Sequence, residues 1–447
     1  MRIFKGIRLF LFWYSGTLLF LIILFSIRFM SWGNELDEVI DSISSSLSYL
    51  IWRPLFHGVL LIPYAVFLIV RFHIRWFRRK GLKSLVKTSV IYFILPLSTL
   101  FFGFRSLIWL NGQDDMVYQP DQEYINNSGR VLDNFAIDSK HRGIHIFPNW
   151  SEVETDLDEL VLHNVEWITL VPYGYQSDVK KPSLNFSSKR TQRRDSVYRA
   201  LGAKAAKLGL RIMMKPHIWV NGDTWRSGIE MNSEVEWDAW FEQYEQFILH
   251  YAQLSREIGA EALCIGTELH QTIKLKPEKW IGLIRKIRLE YDGKLTYAAN
   301  WDSEFREISF WNELDYIGIQ AYFGLSNKNT PDVEELKSGW KEYFLELKEF
   351  SEQQHKPILF TEVGYKSIVN AAHEPWQWES WIASLFRKAS SKTQANCYEA
   401  LFEVFWNEHW FAGVHLWKWE GEDKYDFTPK NKPAANVMTK WFGEIGN

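Results

Sequence analysis

Cysteine is almost absent from this chain of 447 residues, which contains only Cys264 and Cys397. Two thiols cannot form a disulfide framework or a four-thiolate zinc site. The twelve histidines are scattered, and none forms the pair at helical spacing, with a nearby carboxylate, that a catalytic zinc site needs. We therefore expect chemistry that requires no metal and no other cofactor.

An excess of charge of one sign is also lacking. The chain has 51 Lys and Arg against 54 Asp and Glu, a formal net charge of -3. Nucleic-acid binding depends on a basic excess that neutralises phosphates, so DNA and RNA are not expected partners. The sequence also has no Gly-x-Ser-x-Gly elbow, Walker loop or dinucleotide fingerprint, which gives no support to the enzyme classes that carry them.

Long apolar runs are present, and all of them lie in the first 110 residues. They cover residues 9–29, 55–70 and 89–110. The first and third are long enough to cross a bilayer, at about 20 residues each, and the second reaches that length only with residues 51–54 and 71–72. A signal peptide is the alternative for the first run, but that run is long and no clean cleavage site follows it. Residues 1–110 are therefore predicted to form a membrane region of about three transmembrane helices.

Basic residues predict the orientation of this region, because short cytoplasmic loops collect Lys and Arg. Three basic residues precede the first run, whereas the connection after it is acidic at residues 35–41. We expect a cytoplasmic N-terminus and, after a polar linker at 111–135, an extracytoplasmic remainder. A lipid-headgroup site is the alternative explanation of the basic loop. The basic residues between the second and third runs are Arg71, Arg75, Arg78, Arg79, Lys80, Lys83 and Lys87.

Residues 136–447 alternate short β-rich runs with amphipathic helical runs, a pattern typical of βα units around a parallel sheet. Eight such units favour a (β/α)8 TIM barrel. An open doubly wound sheet is the alternative, but no glycine-rich loop follows the first strand. The strands are predicted at 143–147, 167–173, 211–219, 262–267, 295–300, 316–322, 357–362 and 413–417. Helices are predicted at 193–208, 235–258, 277–290, 333–354 and 395–408, with a short one in the fifth unit.

Two glutamates stand at the carboxyl ends of predicted strands, where the chemistry of this fold is located. Glu268 follows the fourth strand and Glu362 ends the seventh. The alternation of side chains allows each to point into the barrel mouth. Paired carboxylates are what glycoside hydrolysis requires. The alternative for either residue alone is a structural ion pair, for which Lys215 is a candidate partner of Glu268.

The motifs around these strand ends resemble glycoside hydrolase family 113. They are Lys-Pro-His-Ile-Trp in strand three, Gly-Thr-Glu-Leu ending strand four, Thr-Glu-Val-Gly-Tyr ending strand seven, and the Trp of strand eight. The resemblance covers about residues 140–440 and implies a retaining (β/α)8 enzyme typified by β-mannanases. It implies that Glu268 is the acid/base, that Glu362 is the nucleophile and that Tyr322 hydrogen-bonds the nucleophile. Thr267 stands where much of the clan has the Asn that contacts the sugar 2-hydroxyl.

Other polar and aromatic residues at the strand ends are candidates for sugar binding. Each has a structural alternative: a rim aromatic for Tyr322, a core residue for Trp417, and a polar plug beneath the site for His217 and Lys215. Asn300 and Trp301 alternate in direction, so only one of them is expected to point inward. The predicted substrate-binding residues are Tyr322, Trp417, His217, Lys215, Asn300, Trp301, Trp219 and Tyr173.

Together these patterns predict a membrane-anchored, extracytoplasmic retaining glycosidase. No cluster of several Arg or Lys is expected at the mouth, which favours a neutral β-linked glycan as substrate. Within that class, β-1,4-mannan or mannooligosaccharides are the expected substrate. The alternatives are another β-glycan or a cell-envelope exopolysaccharide, or a non-catalytic glycan receptor in the membrane. The sequence decides neither the glycan, nor endo against exo action, nor the oligomeric state.

Overall fold

The computed structural model describes residues 2–31, 54–148, 157–186, 189–222, 224–378, 380–421 and 423–446. The chain divides into two compact units, Met1–Ser106 and Leu107–Asn447. The acidic connection at 35–41 lies outside the described residues.

The first unit is helical. It contains α1 (Arg2–Ser31), α2 (Pro54–Ser89), a π-helical turn (Val90–Ile94) and most of α3 (Leu95–Asn111). In the part of the chain that the structure describes, one helical stretch, Phe56–Asn111, is long and apolar enough to cross a membrane, and Arg8–Leu24 is a shorter apolar helix. The coarser part of the membrane prediction, an apolar helix of spanning length, thus has support, whereas the count of three is not confirmed.

The long apolar stretch reverses direction at Gly81. This residue has φ 77° and ψ 174°, which no helix accommodates. The rings of Phe72 and Phe93 lie 6.1 Å apart, although 21 residues in a straight helix span about 31 Å. Trp76 Nε1 also donates to Ser84 Oγ across 3.2 Å. Phe56–Asn111 is therefore a helical hairpin, and glycine provides the positive φ that its turn needs.

The second unit is built on a closed barrel of eight parallel strands, so the predicted TIM barrel is confirmed. The order around the barrel is β1-β11-β10-β9-β8-β7-β5-β2. These strands are β1 (His141–Ile146), β2 (Trp167–Leu170), β5 (Arg211–Met214), β7 (Ala262–Thr267), β8 (Lys294–Asn300), β9 (Tyr316–Gln320), β10 (Ile358–Val363) and β11 (Phe411–Leu416).

The second and third barrel strands are shorter than predicted. Each stops before a proline, Pro172 or Pro216, and the chain then forms a further strand. Proline has no N–H to donate, so a barrel ladder cannot continue through it. The further strands pair with each other in parallel, with Tyr173 opposite His217. A small sheet results, made of β3 (Tyr173–Gln176), β4 (Leu184–Asn185) and β6 (His217–Val220).

Amphipathic helices cover the barrel. Ser233 and Asp332 cap two of the longest by accepting the backbone N–H of Glu236 and of Glu335. The predicted helices at 277–290 and 333–354 have the observed bounds, and the fifth unit has only a four-residue helix. The helices are α4 (Phe135–Asp138), α5 (Leu157–Leu162), α6 (Lys189–Leu208), α7 (Glu234–Glu257), α8 (His270–Leu275), α9 (Pro277–Glu290), α10 (Glu304–Glu307), α11 (Val333–Gln354), α12 (Trp381–Ser384), α13 (Ser391–Phe405) and α14 (Pro433–Gly443).

The polar stretch at 111–135 is hydrogen-bonded to the barrel. Asp114 accepts from the N–H and the hydroxyl of Ser391, the first residue of α13, and Asp115 accepts from the backbone N–H of Lys392. Further along, the Val131 N–H donates to the carbonyl of Leu208. This stretch, predicted as a linker, therefore belongs to the second unit and caps one of its helices.

Candidate active site

Glu268 follows β7 and sits at a bend of the backbone. Its backbone φ is 52°, in the left-handed region that residues other than glycine seldom adopt. Its N–H donates to the carbonyl of Ala298 on the neighbouring strand β8, across 2.9 Å. The side chain is only 7% exposed. The end of the fourth barrel strand thus holds a strained, nearly buried carboxyl group.

The partner of Glu268 is Arg226, which the sequence analysis missed. Arg226 Nη2 and Nε lie 3.1 Å and 3.3 Å from Glu268 Oε2. Burial raises the pKa of Glu268; the charge of Arg226 opposes this, Glu362 adds to it, and the net shift is upward. Lys215, the partner considered from the sequence, instead binds Glu362. The sequence did contain a signal for Arg226: it directly follows an aromatic residue in the loop after the third predicted barrel strand.

Glu362 lies on β10 among three donors. Its Oε2 accepts from Lys215 Nζ across 2.7 Å and from Gln320 Nε2 across 3.1 Å. Its Oε1 accepts from Tyr322 Oη across 2.5 Å. Burial alone would raise the pKa of Glu362, but the charge and hydrogen bond of Lys215 and the hydrogen bond of Tyr322 outweigh it, and the pKa is lowered. The hydrogen bond that the family resemblance implied for Tyr322 is present.

Lys215 is fully buried, and its ammonium group donates its hydrogen bonds to acceptors within the protein. Besides Glu362, its Nζ donates to Gln320 Oε1 and to the carbonyl of Thr361. Its Nζ also lies 3.3 Å from His145 Nε2. Burial and the charge of Lys215 lower the pKa of His145 to about 3, so its ring is neutral. The geometry favours a role for Lys215 in holding Glu362 over direct sugar binding.

Strand register aligns the polar residues of the mouth. Asn300 pairs with Gln320 and Gln320 pairs with Glu362, so the ends of β8, β9 and β10 lie at one level. Gln320 is 1% exposed, and the sequence analysis did not select it. Because the sixth strand was predicted to run to residue 322, Gln320 did not stand at a predicted strand end, and only the observed end of β9 places it there. Thr267, one residue before Glu268, is also buried.

Three of the aromatic residues predicted to bind sugar are Trp417, Trp219 and Tyr173. Trp417 is half-buried, with its ring 5.0 Å from those of His145 and Phe147. Trp219 is 54% exposed, and its ring lies 6.3 Å from that of half-buried Tyr173. The rings of Trp417 and Trp219 are therefore accessible to a sugar ring.

On another part of the rim, half-buried Trp301 packs against Trp376, with ring centroids 4.8 Å apart. Trp225, Trp376 and Trp378 were not selected from the sequence, and all three are substantially exposed. Exposed indoles of this kind are apolar surfaces on which the faces of sugar rings can pack.

His217 is a buried residue with unused hydrogen-bonding capacity. Its ring is 3% exposed, and its Nε2 has no hydrogen-bond partner among the described residues. Burial, with the charges of Arg226 and Lys215, lowers its pKa well below the usual value. A neutral imidazole beside the mouth therefore has a nitrogen free to bind a sugar hydroxyl.

Two cations lie at the mouth, where no cluster of several Arg or Lys was expected. Each of them, Arg226 and Lys215, is paired with a glutamate. Within the described ranges, no group of three or more His, Cys, Asp and Glu side chains is placed to hold a metal ion. The arrangement contains two coupled carboxyl groups with opposite pKa shifts and an aromatic rim, which suits proton transfer and nucleophilic attack on a saccharide.

A closed parallel barrel with such a carboxyl pair at the ends of its fourth and seventh strands is the architecture of a TIM-barrel glycoside hydrolase. The sequence model of Glycoside Hydrolase Family 113 matches residues 147–440, well over half of the chain. The chain belongs to this family and is a glycoside hydrolase. Comparison with curated proteins gives no significant match.

Solved structures of the family are similar to this one. The GH113 β-mannanase AaManA from Alicyclobacillus acidocaldarius in complex with ManMIm has a TM-score of 0.58 and 26% identity, covering 69% of this chain and 98% of that one. A GH113 β-1,4-mannanase has a TM-score of 0.54 and 25% identity, with 62% and 88% covered. A GH113 β-1,4-mannanase complex, at a TM-score of 0.57, 22% identity and 68% and 98% coverage, supports the fold.

Proposed function

We propose that this glycoside hydrolase cleaves β-linked mannose glycans with retention of configuration, with Glu362 as nucleophile and Glu268 as acid/base. The observation that carries the proposal is the contrast between the surroundings of the two buried carboxyl groups: Glu362 accepts from Lys215, Gln320 and Tyr322, whereas Glu268 has, among the described residues, Arg226 alone. Glu362 is held ionised by Lys215, whereas burial keeps a proton on Glu268 to higher pH. Environments that push the pKa values of two carboxyl groups apart assign one to attack and the other to proton donation.

In the first step, Glu362 Oε1 or Oε2 bonds to the anomeric carbon while the glycosidic C–O bond breaks. Glu268 gives its proton to the departing oxygen, and a covalent glycosyl-enzyme forms. Tyr322 and Gln320 hold the attacking carboxylate by hydrogen bonds. In the second step, Glu268 takes a proton from water, the water oxygen bonds to the anomeric carbon, and the bond to Glu362 breaks.

The proposed substrate class is a neutral β-1,4-linked mannose saccharide. The similar solved structures are described as β-mannanases, which supports mannose. Both mouth cations already contact glutamates, Lys215 with Glu362 and Arg226 with Glu268, so their donor groups are engaged within the protein rather than directed at a substrate carboxylate or sulfate. The apolar faces of sugars pack on aromatic rings, and exposed Trp219 and half-buried Trp417 provide such surfaces. His217 Nε2 supplies a hydroxyl partner.

We also propose that residues 1–110 cross a membrane three times and place the barrel outside the cytoplasm. The hairpin at Gly81 divides Phe56–Asn111 into two apolar arms, and α1 packs on the first of them, since Tyr14 Oη lies 2.5 Å from His57 Nδ1. Apolar side chains on these helices are exposed, as at Leu100 with 70%, which suits contact with lipid. Seven basic residues flank the turn, as expected for a cytoplasmic loop.

The chemistry is tested with two variants and azide. With Glu268→Ala, an aryl glycoside with a good leaving group should still react in the first step, and azide should speed turnover because it needs no base. With Glu362→Ala, azide should yield a glycosyl azide of opposite anomeric configuration. Interchanged product stereochemistry would reverse the two assignments, and wild-type activity in either variant would remove the mechanism.

The substrate is tested by product analysis after separate incubation with manno-, gluco- and xylo-oligosaccharides. Cleavage of the manno-series is expected. Cleavage of the gluco- or xylo-series alone would assign another β-glycan, and binding without cleavage of any of them would favour a receptor.

A further inference from the structure

Glu304 is a carboxyl group near the mouth that the proposed mechanism does not use. It is the first residue of α10, immediately after the fifth barrel strand, and it has no exposed surface. Its Oε1 accepts from Tyr297 Oη across 2.6 Å, and its Oε2 accepts from the backbone N–H of Asn300 across 2.7 Å. Within the described residues, no Lys, Arg or His forms an ion pair with it.

The contact with Tyr297 continues to the acid/base. The Tyr297 hydroxyl, which donates to Glu304, accepts the backbone N–H of Leu269 across 2.6 Å. Leu269 directly follows Glu268, whose φ of 52° is the strained position at the end of β7. A continuous chain of hydrogen bonds therefore runs from the Glu304 carboxyl through a buried phenol to the peptide that carries Glu268.

A carboxyl group without a cation partner is costly to bury in its charged form. Burial raises the pKa of Glu304 to about 8, and the negative charge of Glu268 contributes to the rise. The oxygens of Glu304 accept directly from Tyr297 and Asn300 of β8, and through Tyr297 this carboxyl reaches the peptide that follows Glu268. This placement indicates a role at the mouth.

We propose that Glu304 is a positioning residue for the acid/base: through Tyr297 it fixes the Glu268–Leu269 peptide, and through the N–H of Asn300 it fixes the adjoining strand end. The inference rests on the proposed function, in which Glu268 protonates the leaving oxygen. A strained backbone persists only when its surroundings over-determine it, and the Glu304–Tyr297 relay supplies one of those constraints. Without the relay the carboxyl of Glu268 would be present but misplaced.

The test uses leaving-group dependence, because proton donation matters only when the leaving group is a poor one. Full-length Glu304→Leu, whose side chain can accept neither the Tyr297 hydroxyl nor the N–H of Asn300, would be assayed in detergent on aryl β-mannobiosides with phenyl and dinitrophenyl leaving groups. We expect kcat/KM for the phenyl substrate to fall by about 10- to 100-fold, the range for a misplaced general acid. For the dinitrophenyl substrate we expect a change of less than about twofold, because that step needs little proton donation.

Two further variants complete the test. Tyr297→Phe removes the phenol that joins Glu304 to Leu269, so it should reproduce the leaving-group pattern, and the double variant should lose no more than the worse single one. Glu307→Gln is the matched control on the same helix; its carboxyl binds His270 and Lys274 at the surface, and kcat/KM should stay unchanged for both substrates.

The inference is overturned if both substrates lose activity equally or if neither loses any. If Glu304→Leu does not fold, Tyr297→Phe decides by the same criterion. Glu268→Ala separates this inference from the proposed function. If Glu268→Ala shows the leaving-group pattern and the relay variants do not, only the positioning role fails. If Glu268→Ala does not show it, the assignment of the acid/base fails as well.

Discussion

Arg226 should determine the alkaline limit of activity. Its guanidinium contacts Glu268 Oε2 at 3.1 Å and 3.3 Å, and both side chains are 10% exposed or less. An opposite charge this close lowers a carboxyl pKa by about 1–3 units, and each unit corresponds to about 1.4 kcal/mol. Solvent screens such a nearly buried pair only weakly. Replacing Arg226 with Met should therefore raise the pKa of Glu268 by about one unit or more.

The direction of the pH effect follows from the roles of the two glutamates. Activity requires a protonated Glu268, so it is lost as the pH rises through the pKa of that group. It also requires an ionised Glu362, so it is lost as the pH falls through the pKa of that one. In Arg226→Met the alkaline limb of the kcat/KM profile should shift upward by about one pH unit. The acid limb should move little, because Lys215 still binds Glu362.

Two variants control this experiment. Arg226→Lys keeps the positive charge without the fork of donors, so its alkaline limb should move less. Arg199→Met removes an exposed ion pair with Glu257, measured at 2.7 Å on the outer surface, and should leave the profile unchanged. An unchanged alkaline limb in folded Arg226→Met would refute the claim that this ion pair sets the proton affinity of Glu268.

Three further predictions concern binding, stability and topology. Trp219→Ala should raise KM on mannooligosaccharides and leave Tm unchanged, because the side chain is 54% exposed; a lower Tm would make it a core residue. A fragment starting at residue 111 should be more stable in urea than one starting at 136 by about 2–5 kcal/mol, because several hydrogen bonds of Asp114 and Asp115 are then kept. Equal midpoints would refute their importance. A reporter fused at residue 80 should be active only in its cytoplasmic form and one at 115 only in its extracytoplasmic form; the reverse pattern would reverse the orientation.

Local pattern was enough to predict the architecture of the barrel. Eight alternations of strand and helix predicted the fold because burial imposes the same periodicity on every βα unit. The errors in the second and third strands also had a local cause, since Pro172 and Pro216 end the barrel ladder there. The positions of Glu268 and Glu362 were predictable for a topological reason, because strand ends in a parallel barrel meet at one face.

The sequence by itself determined which residues end the barrel strands, and hence which carboxyl groups meet at the mouth. Only the tertiary structure decided their partners: Arg226 rather than Lys215 for Glu268, and Lys215 with Gln320 for Glu362. Strand periodicity specifies the face on which a side chain lies, but not which loop reaches it. The charge of each glutamate depends on burial and on cations many residues away in the chain, and those distances exist only after the barrel has closed.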